Sequence, residues 1–186
     1  MSTVQDGLKD WHDVMLVPGQ LHNSERYFLR DIAELADRDH GGNITIVNIG
    51  IWRGASCHCL RVGAPNARLV GIDVMGLYPI EVDHIHDESQ FLVDFLRMDV
   101  IKRNSNYVKW GDPIHLLFID GGHEYDVVKK DIQNFCSNVV IAGYVVFHDS
   151  RRDEVRQAIE RYIRKTGKWL ELTKQVGTLA WFRRLE

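Results

Sequence analysis

A doubly wound, mostly parallel α/β sheet is the fold this chain predicts, and three observations predict it. Short apolar runs alternate with stretches of helical periodicity along most of the chain, the pattern of strand-helix-strand units. Several runs stop abruptly at an acid or a His-Asp pair: Val70-Gly71-Ile72-Asp73, Leu117-Phe118-Ile119-Asp120 and Val146-Phe147-His148-Asp149. A parallel strand buried on both faces reads as such a run, and its carboxyl end opens into a ligand cleft. The last two apolar segments are split by Gly177, which marks a closing antiparallel hairpin at one edge.

Taken in order, residues 1–23 form an N-terminal extension in which Pro18-Gly19 marks a turn. Ser24 is a candidate cap for a helix that buries Phe28, Leu29, Ile32, Leu35 and Ala36 and ends at Gly41-Gly42. Ile44 to Ile49 is a strand, Gly50 to Gly54 a tight connection, and Ala55 to Val62 a helix. Arg68 to Ile72 is the second strand. A polar loop over 74–90, a strand over Phe91 to Leu96 and an exposed helix over Val100 to Trp110 are expected next. Ile114 to Ile119 is a strand, and the helix from Glu124 to Phe135 places Tyr125, Val128, Ile132 and Phe135 on one face. Val139 to Ile141 leads through Ala142-Gly143 into the strand ending at Phe147. A helix over Asp153 to Lys165 turns Val155, Ile159 and Tyr162 or Ile163 inward, and strands over Leu170 to Val176 and Thr178 to Phe182 close the chain. No repeat or second domain interrupts this order, so residues 1–186 are expected to form a single domain.

The bulk composition narrows the function. At 45% hydrophobic and 26% charged, with a net charge of −3, the chain has neither the basic excess of a nucleic-acid binder nor that of a membrane-surface protein. The basic stretch from Arg151 to Lys165 reads as the wet face of an amphipathic helix. Three cysteines do not make a disulfide framework, and Cys57-His58-Cys59 lacks zinc spacing; both cysteines read as small buried residues at a helix start. No apolar run reaches the about 18 residues of a membrane span, and no leader pattern opens the chain, so a cytoplasmic location is expected. Trp169, Trp181 and Phe182 suit a core or an edge-to-edge homo-oligomer equally well.

The chemistry sits at the strand ends. If the strands ending before Asp120 and Asp149 are neighbours, their carboxylates lie side by side at the cleft, where they suit a divalent metal such as magnesium or acid–base work. His123 or His148 is then placed to take a proton, since imidazole titrates near neutral pH. Each acid also suits a plain helix cap. The run Glu81 to Glu88, with His84 and His86, reads as a solvated segment or substrate-side lid rather than a metal site.

The first loop, Val47-Asn48-Ile49-Gly50-Ile51-Trp52-Arg53-Gly54-Ala55-Ser56, is followed by Asp73 23 residues after Gly50. An acid at that distance suits the hydroxyls of a ribose. A dinucleotide site wants glycine at position 52, where the chain has Trp52, and there is no Walker lysine. A cofactor without a pyrophosphate fits better, with S-adenosylmethionine the leading candidate. Its candidate contacts are Asn48, Gly50, Trp52, Gly54, Ser56, Asp73 and Asp120, with Asp99 after the expected third strand.

The loop, then Val-Gly-Ile-Asp, then Leu-Phe-Ile-Asp-Gly-Gly-His-Glu-Tyr, then Ala-Gly-Tyr-Val-Val-Phe-His-Asp, resembles the class I S-adenosylmethionine-dependent methyltransferases over residues 24–183. It is most similar to the small branch whose fourth strand ends in Ile-Asp-Gly-x-His and whose fifth ends in His-Asp. The resemblance implies a Rossmann-like methyltransferase fold and a metal-assisted site with Asp120 and Asp149 as ligands. It departs at Asn48, where the family usually has an acid, and at Ser150, where metal-dependent relatives often carry a third oxygen ligand. The function expected is methyl transfer to a small hydroxylated molecule, with Asp120, His123 and His148 as catalytic candidates. The alternative is a non-catalytic binding or scaffold module that retains the fold.

Overall fold

The computed structural model of the chain describes residues 17, 19–74, 96–172 and 176–186. The expected 74–90 loop with its His84-x-His86 run, and the strand over 91–96, lie outside the described residues except for Val74 and Leu96.

Helix α1 spans Asn23–Asp39 and is capped by His22, two residues before the candidate cap Ser24, with the Glu25 carboxylate accepting from the His22 N–H at 2.9 Å. Strand β1 (Thr45–Ile49) leads through the Gly50 loop into α2 (Ala55–Gly63), and β2 (Arg68–Asp73) follows. Strand β3 is Asp99–Lys102, succeeded by one 3-10 turn over Ser105–Tyr107. The helix expected over Val100 to Trp110 is therefore corrected. Val100 and Ile101 pair with Gly71 and Ile72 of β2, and the Asn104 side chain accepts from the Asn106 N–H at 2.9 Å, closing a local turn instead of a helix.

Strand β4 (Ile114–Ile119), helix α3 (Tyr125–Phe135), strand β5 (Val139–Phe147) and helix α4 (Asp153–Tyr162) complete the alternation, and β6 (Trp169–Glu171) and β7 (Ala180–Arg184) form the antiparallel edge. The sheet order is β3-β2-β1-β4-β5-β7-β6, with β1 to β5 parallel. After β1 the chain winds outward through β2 and β3; it then returns to β4 on the other side of β1. The carboxyl ends of β1 and β4 thus flank the topological switch point, where open α/β sheets bind ligands.

Successive strand residues face opposite layers, and both layers are apolar. Ile46, Leu69, Leu116, Phe118 and Val146 pack under α1 and α2 with Leu29, Ile32 and Leu60. Val47, Ile49, Leu117, Ile119, Val145 and Phe147 pack under α3 and α4 with Val128, Ile132, Phe135, Val155 and Ile159. This two-sided burial is why the strands read as continuous apolar runs.

Candidate active site

A cavity of about 430 Å³ opens at the switch point, within the range of small-molecule sites. One wall is the loop after β1. Gly50 takes φ 86°, and a Cβ there would stand 2.0 Å from the Asp120 carbonyl oxygen, so only glycine lets this loop pass over the end of β4. The next two residues donate to a single acceptor: the Ile51 and Trp52 N–H groups reach Asp73 Oδ2 at 2.6 and 3.0 Å. That pairing holds Trp52 at φ 44°, a left-handed backbone unusual for an aromatic residue. The same contacts fix the Asp73 carboxylate at the cavity wall beside Gly50, Ser56 and Val74.

The facing wall is a cluster of acids and imidazoles at the ends of β4 and β5. These strands are parallel neighbours, and their pairing continues one step further, the His148 N–H donating to the Ile119 carbonyl at 3.0 Å. The expected side-by-side placement of Asp120 and Asp149 follows. His148 Nδ1 lies 2.9 Å from Asp120 Oδ1 and 3.8 Å from Asp149 Oδ2, while His123 Nε2 lies 2.9 Å from Asp149 Oδ2. Arg152 approaches Asp149 from outside at 3.5 Å. Asp149 itself adopts φ 50°, a conformation that aspartate tolerates better than most residues.

A residue of the first helix completes the cluster. Glu25 is fully buried, and its Oε2 faces His148 Nε2 at 3.3 Å while Oε1 accepts from the Thr178 N–H and hydroxyl at 2.7 and 2.9 Å. Burial opposes the charge on His148, but the Asp120 and Glu25 carboxylates outweigh it and raise the imidazole to about 10. Burial likewise pushes Glu25 up, yet His148 and the backbone N–H donors prevail and hold it at about 2. Asp120 is pushed up by burial against the pull of His148. Near neutral pH the centre is therefore an imidazolium held between carboxylates. The buried thiols of Cys57 and Cys59 are pushed up to about 12 by desolvation, and both cysteines are inert packing residues.

Of the residues expected at the site, Gly50, Trp52, Ser56, Asp73, Asp120, His123, His148 and Asp149 line this one cavity. Three expected cofactor contacts do not. Asp99 opens β3 instead of following it; it pairs with Val70 at the amino end of the strands and its carboxylate meets Arg68 at 3.4 Å, so the turn Arg103-Asn104-Ser105 takes its place in the cavity wall. Gly54 caps α2 at φ 84° and shapes the loop without facing the cavity. Asn48 is buried behind the wall, its Nδ2 donating to Ser56 Oγ at 2.8 Å and Cys57 Sγ at 2.9 Å. Its Oδ1 is buried with no hydrogen-bond partner among the described residues.

Residue-by-residue reading did not single out Glu25, which looks like one more polar position on a helix and meets Thr178 only across 153 residues of chain. The turn after β3 was missed with the strand itself.

The donor set does not fit the magnesium ion expected at Asp120 and Asp149. Each of those carboxylates already meets an imidazole, and Ser150, the candidate third ligand, donates its hydroxyl to the Thr178 carbonyl at 2.6 Å. Among the described residues no group of three His, Cys, Asp or Glu side chains is arranged to hold a metal.

Comparison with known proteins gives the same frame. Residues 47–150 match a family model described as a methyltransferase domain. The uncharacterized protein R132 of Acanthamoeba polyphaga mimivirus is 27% identical over 139 residues, 70% of this chain and 61% of that protein. The chain thus spans about three fifths of the length of that relative. Among solved structures, the O-methyltransferase NovP superposes with a TM-score of 0.68 at 14% identity, over 88% of this chain and 80% of that one. The TDP-rhamnose 3'-O-methyltransferase CalS11 of calicheamicin biosynthesis gives 0.64 at 16% identity, over 97% and 90%. An O-methyltransferase from Bacillus cereus, solved in complex with SAH, gives 0.63 at 12% identity, over 99% and 92%. At these identities the structural likeness is one of fold. The family model, however, matches more than half of the chain, and the chain belongs to the class I S-adenosylmethionine-dependent methyltransferases.

Proposed function

We propose that this protein transfers a methyl group from S-adenosylmethionine to a hydroxyl of a small molecule, with His123 as the base. The observation that carries this reading is a single cavity with Asp73 on one wall and the Asp149–His123 pair on the other. When bound, the cofactor would supply a sulfonium-borne methyl group, whose carbon would bond to the substrate oxygen as its C–S bond breaks and the electron pair returns to sulfur. Asp73 holds the ribose hydroxyls, and the Gly50 loop leaves room for the amino-acid portion.

The proton needs a separate acceptor. His148 already carries one near neutral pH and cannot take another. His123 Nε2 faces Asp149 Oδ2 at 2.9 Å, and we assign the ring's proton to that nitrogen, which leaves Nδ1 as the acceptor for the substrate hydroxyl. Asp149 orients that ring. Hydroxyl substrates are supported by the neighbours NovP and CalS11, both O-methyltransferases and the second one acting on a TDP-sugar. A non-catalytic binding or scaffold module that retains the fold is the second reading, favoured by the uncharged Asn48 at the family's usual acid position.

Calorimetric titration with S-adenosylmethionine tests the reading, with Asp73→Ala as the control. Micromolar binding in the wild type, weakened at least about tenfold in the variant, supports it. Transfer to hydroxylated acceptors that falls at least about a hundredfold in His123→Ala, with cofactor affinity unchanged, supports the assigned base. Absence of binding by a folded sample at millimolar cofactor sinks methyl transfer and leaves the second reading. Cofactor binding without transfer to any acceptor leaves the second.

A further inference from the structure

We propose that the His148 side chain, clamped by Glu25, occupies the place where a divalent metal would bridge Asp120 and Asp149. Glu25 is then a positioning residue of the site. The purpose of that occupancy rests on the methyl-transfer reading above; its presence and its test do not.

The case is one of occupancy. A magnesium ion binds oxygen ligands at about 2.0–2.1 Å in near-octahedral array. The His148 ring, with Nδ1 2.9 Å from Asp120 and 3.8 Å from Asp149, stands inside the space such an ion would need between those two carboxylates. It is not a ring that can swing clear. Its Nε2 faces Glu25 Oε2 at 3.3 Å, its edge lies against Phe118 at a centroid distance of 6.5 Å, and it is 9% exposed.

Glu25 is held as firmly. His22 donates to Oε2, and Thr178 donates to Oε1 from both its backbone N–H and its hydroxyl. Gly177 packs so closely that an added Cβ would fall 2.3 Å from Oε1. Among the described residues, the charged and titratable groups around the ring are thus Glu25 from α1, Asp120 from the end of β4 and Asp149 from the end of β5, with His123 and Arg152 also meeting Asp149 Oδ2. Three acids surround one imidazole, and the remaining hydroxyl, Ser150, points away to Thr178. Removing the ring would leave Glu25, Asp120 and Asp149 facing a common space, an oxygen set of the kind that hard divalent cations take.

Manganese(II), followed by its electron paramagnetic resonance signal on the full chain, is the probe. Wild-type protein is expected to bind none stoichiometrically at millimolar metal, and its affinity for S-adenosylmethionine is expected to be the same in chelator as in magnesium. His148→Ala is expected to gain one manganese site per chain, at least about tenfold tighter than any wild-type binding, and added imidazole is expected to compete that metal out. Glu25→Gln, which loosens the ring while keeping its shape, is expected to admit manganese measurably.

A stoichiometric wild-type site whose signal disappears in Asp149→Asn overturns the proposal. So does a folded His148→Ala protein that binds manganese no better than the wild type. If that variant does not fold, the wild-type measurement and Glu25→Gln decide, and a folded Glu25→Gln that excludes metal as well as the wild type removes Glu25 from the role. Failure to bind S-adenosylmethionine under any condition counts against the methyl-transfer reading alone, because the manganese readout needs no cofactor.

Discussion

Gly50 shows how much one position decides. Its missing side chain lets the first loop cross the end of β4, and the contact it permits is backbone to backbone, with no flexible atom to yield. Gly50→Ala is expected to cost at least ~2 kcal/mol, read as a lowered denaturant midpoint, because strain at positive φ adds to the clash. Asp131 works in the other direction. It is fully buried on α3, bonded to Asn106 at 3.0 Å, and burial outweighs those hydrogen bonds to raise its carboxyl to about 6. An acid whose pKa is raised in the folded state loses stability as pH climbs from its ordinary value of 3.8 to about 6. Asp131→Asn is therefore expected to stabilise the protein at pH above about 7 by ~1–2 kcal/mol and to do little below about 4, checked by urea melts at both.

At the scale of elements, Arg61 joins α2 to the segments on either side of β2. Its guanidinium is buried and donates to the carbonyls of Leu96, Arg97, Pro65 and Ala67 at 2.7, 2.9, 3.0 and 2.8 Å. Arg61→Ala would leave those carbonyls without their donor, and a loss of ~3 kcal/mol in chemical denaturation is expected. Arg61→Lys is expected to recover only part of it, since one ammonium cannot span four acceptors. In sequence, Arg61 looks like an ordinary basic residue in the last turn of a helix. Those carbonyls are scattered over more than thirty residues, and no local pattern announces them. The same limit hid β3. Asp99–Lys102 is too short to show its own alternation, and only pairing with β2 makes it a strand. The longer strands were legible because both of their faces are buried, and the loop after β1 was legible because its glycines are demanded locally.

For the whole molecule, the link between Glu25 and His148 ties α1 to the end of β5 and, through Thr178, to the edge hairpin. Its stability should follow pH in a definite way. His148 is raised from 6.5 to about 10, so its contribution is complete below pH 6.5 and is lost as pH rises through about 10. Glu25 is lowered from 4.5 to about 2, so its contribution is complete above pH 4.5 and is lost as pH falls through about 2. Above pH 6.5 the Asp131 effect is nearly complete, leaving His148 as the dominant cause of change among these three groups. The melting temperature is therefore expected to fall between pH 7 and about 10, and that fall is expected to flatten in a folded His148→Gln variant.

The sequence by itself determined the alternation of strands and helices, the antiparallel closing hairpin, the family, and the residues at the strand ends that face the cavity. These are local properties: apolar runs, helical periodicity, glycines where the chain must turn, and polar residues where a buried strand stops. Only the tertiary structure decided what those residues do to one another. It set His148 between carboxylates from three different elements, withdrew Asn48 and Asp99 from the cavity, turned Ser150 toward Thr178 and brought in Glu25. The physical reason is that charge, hydrogen-bond direction and desolvation depend on distances between groups far apart in the chain, and those distances exist only once the sheet is assembled.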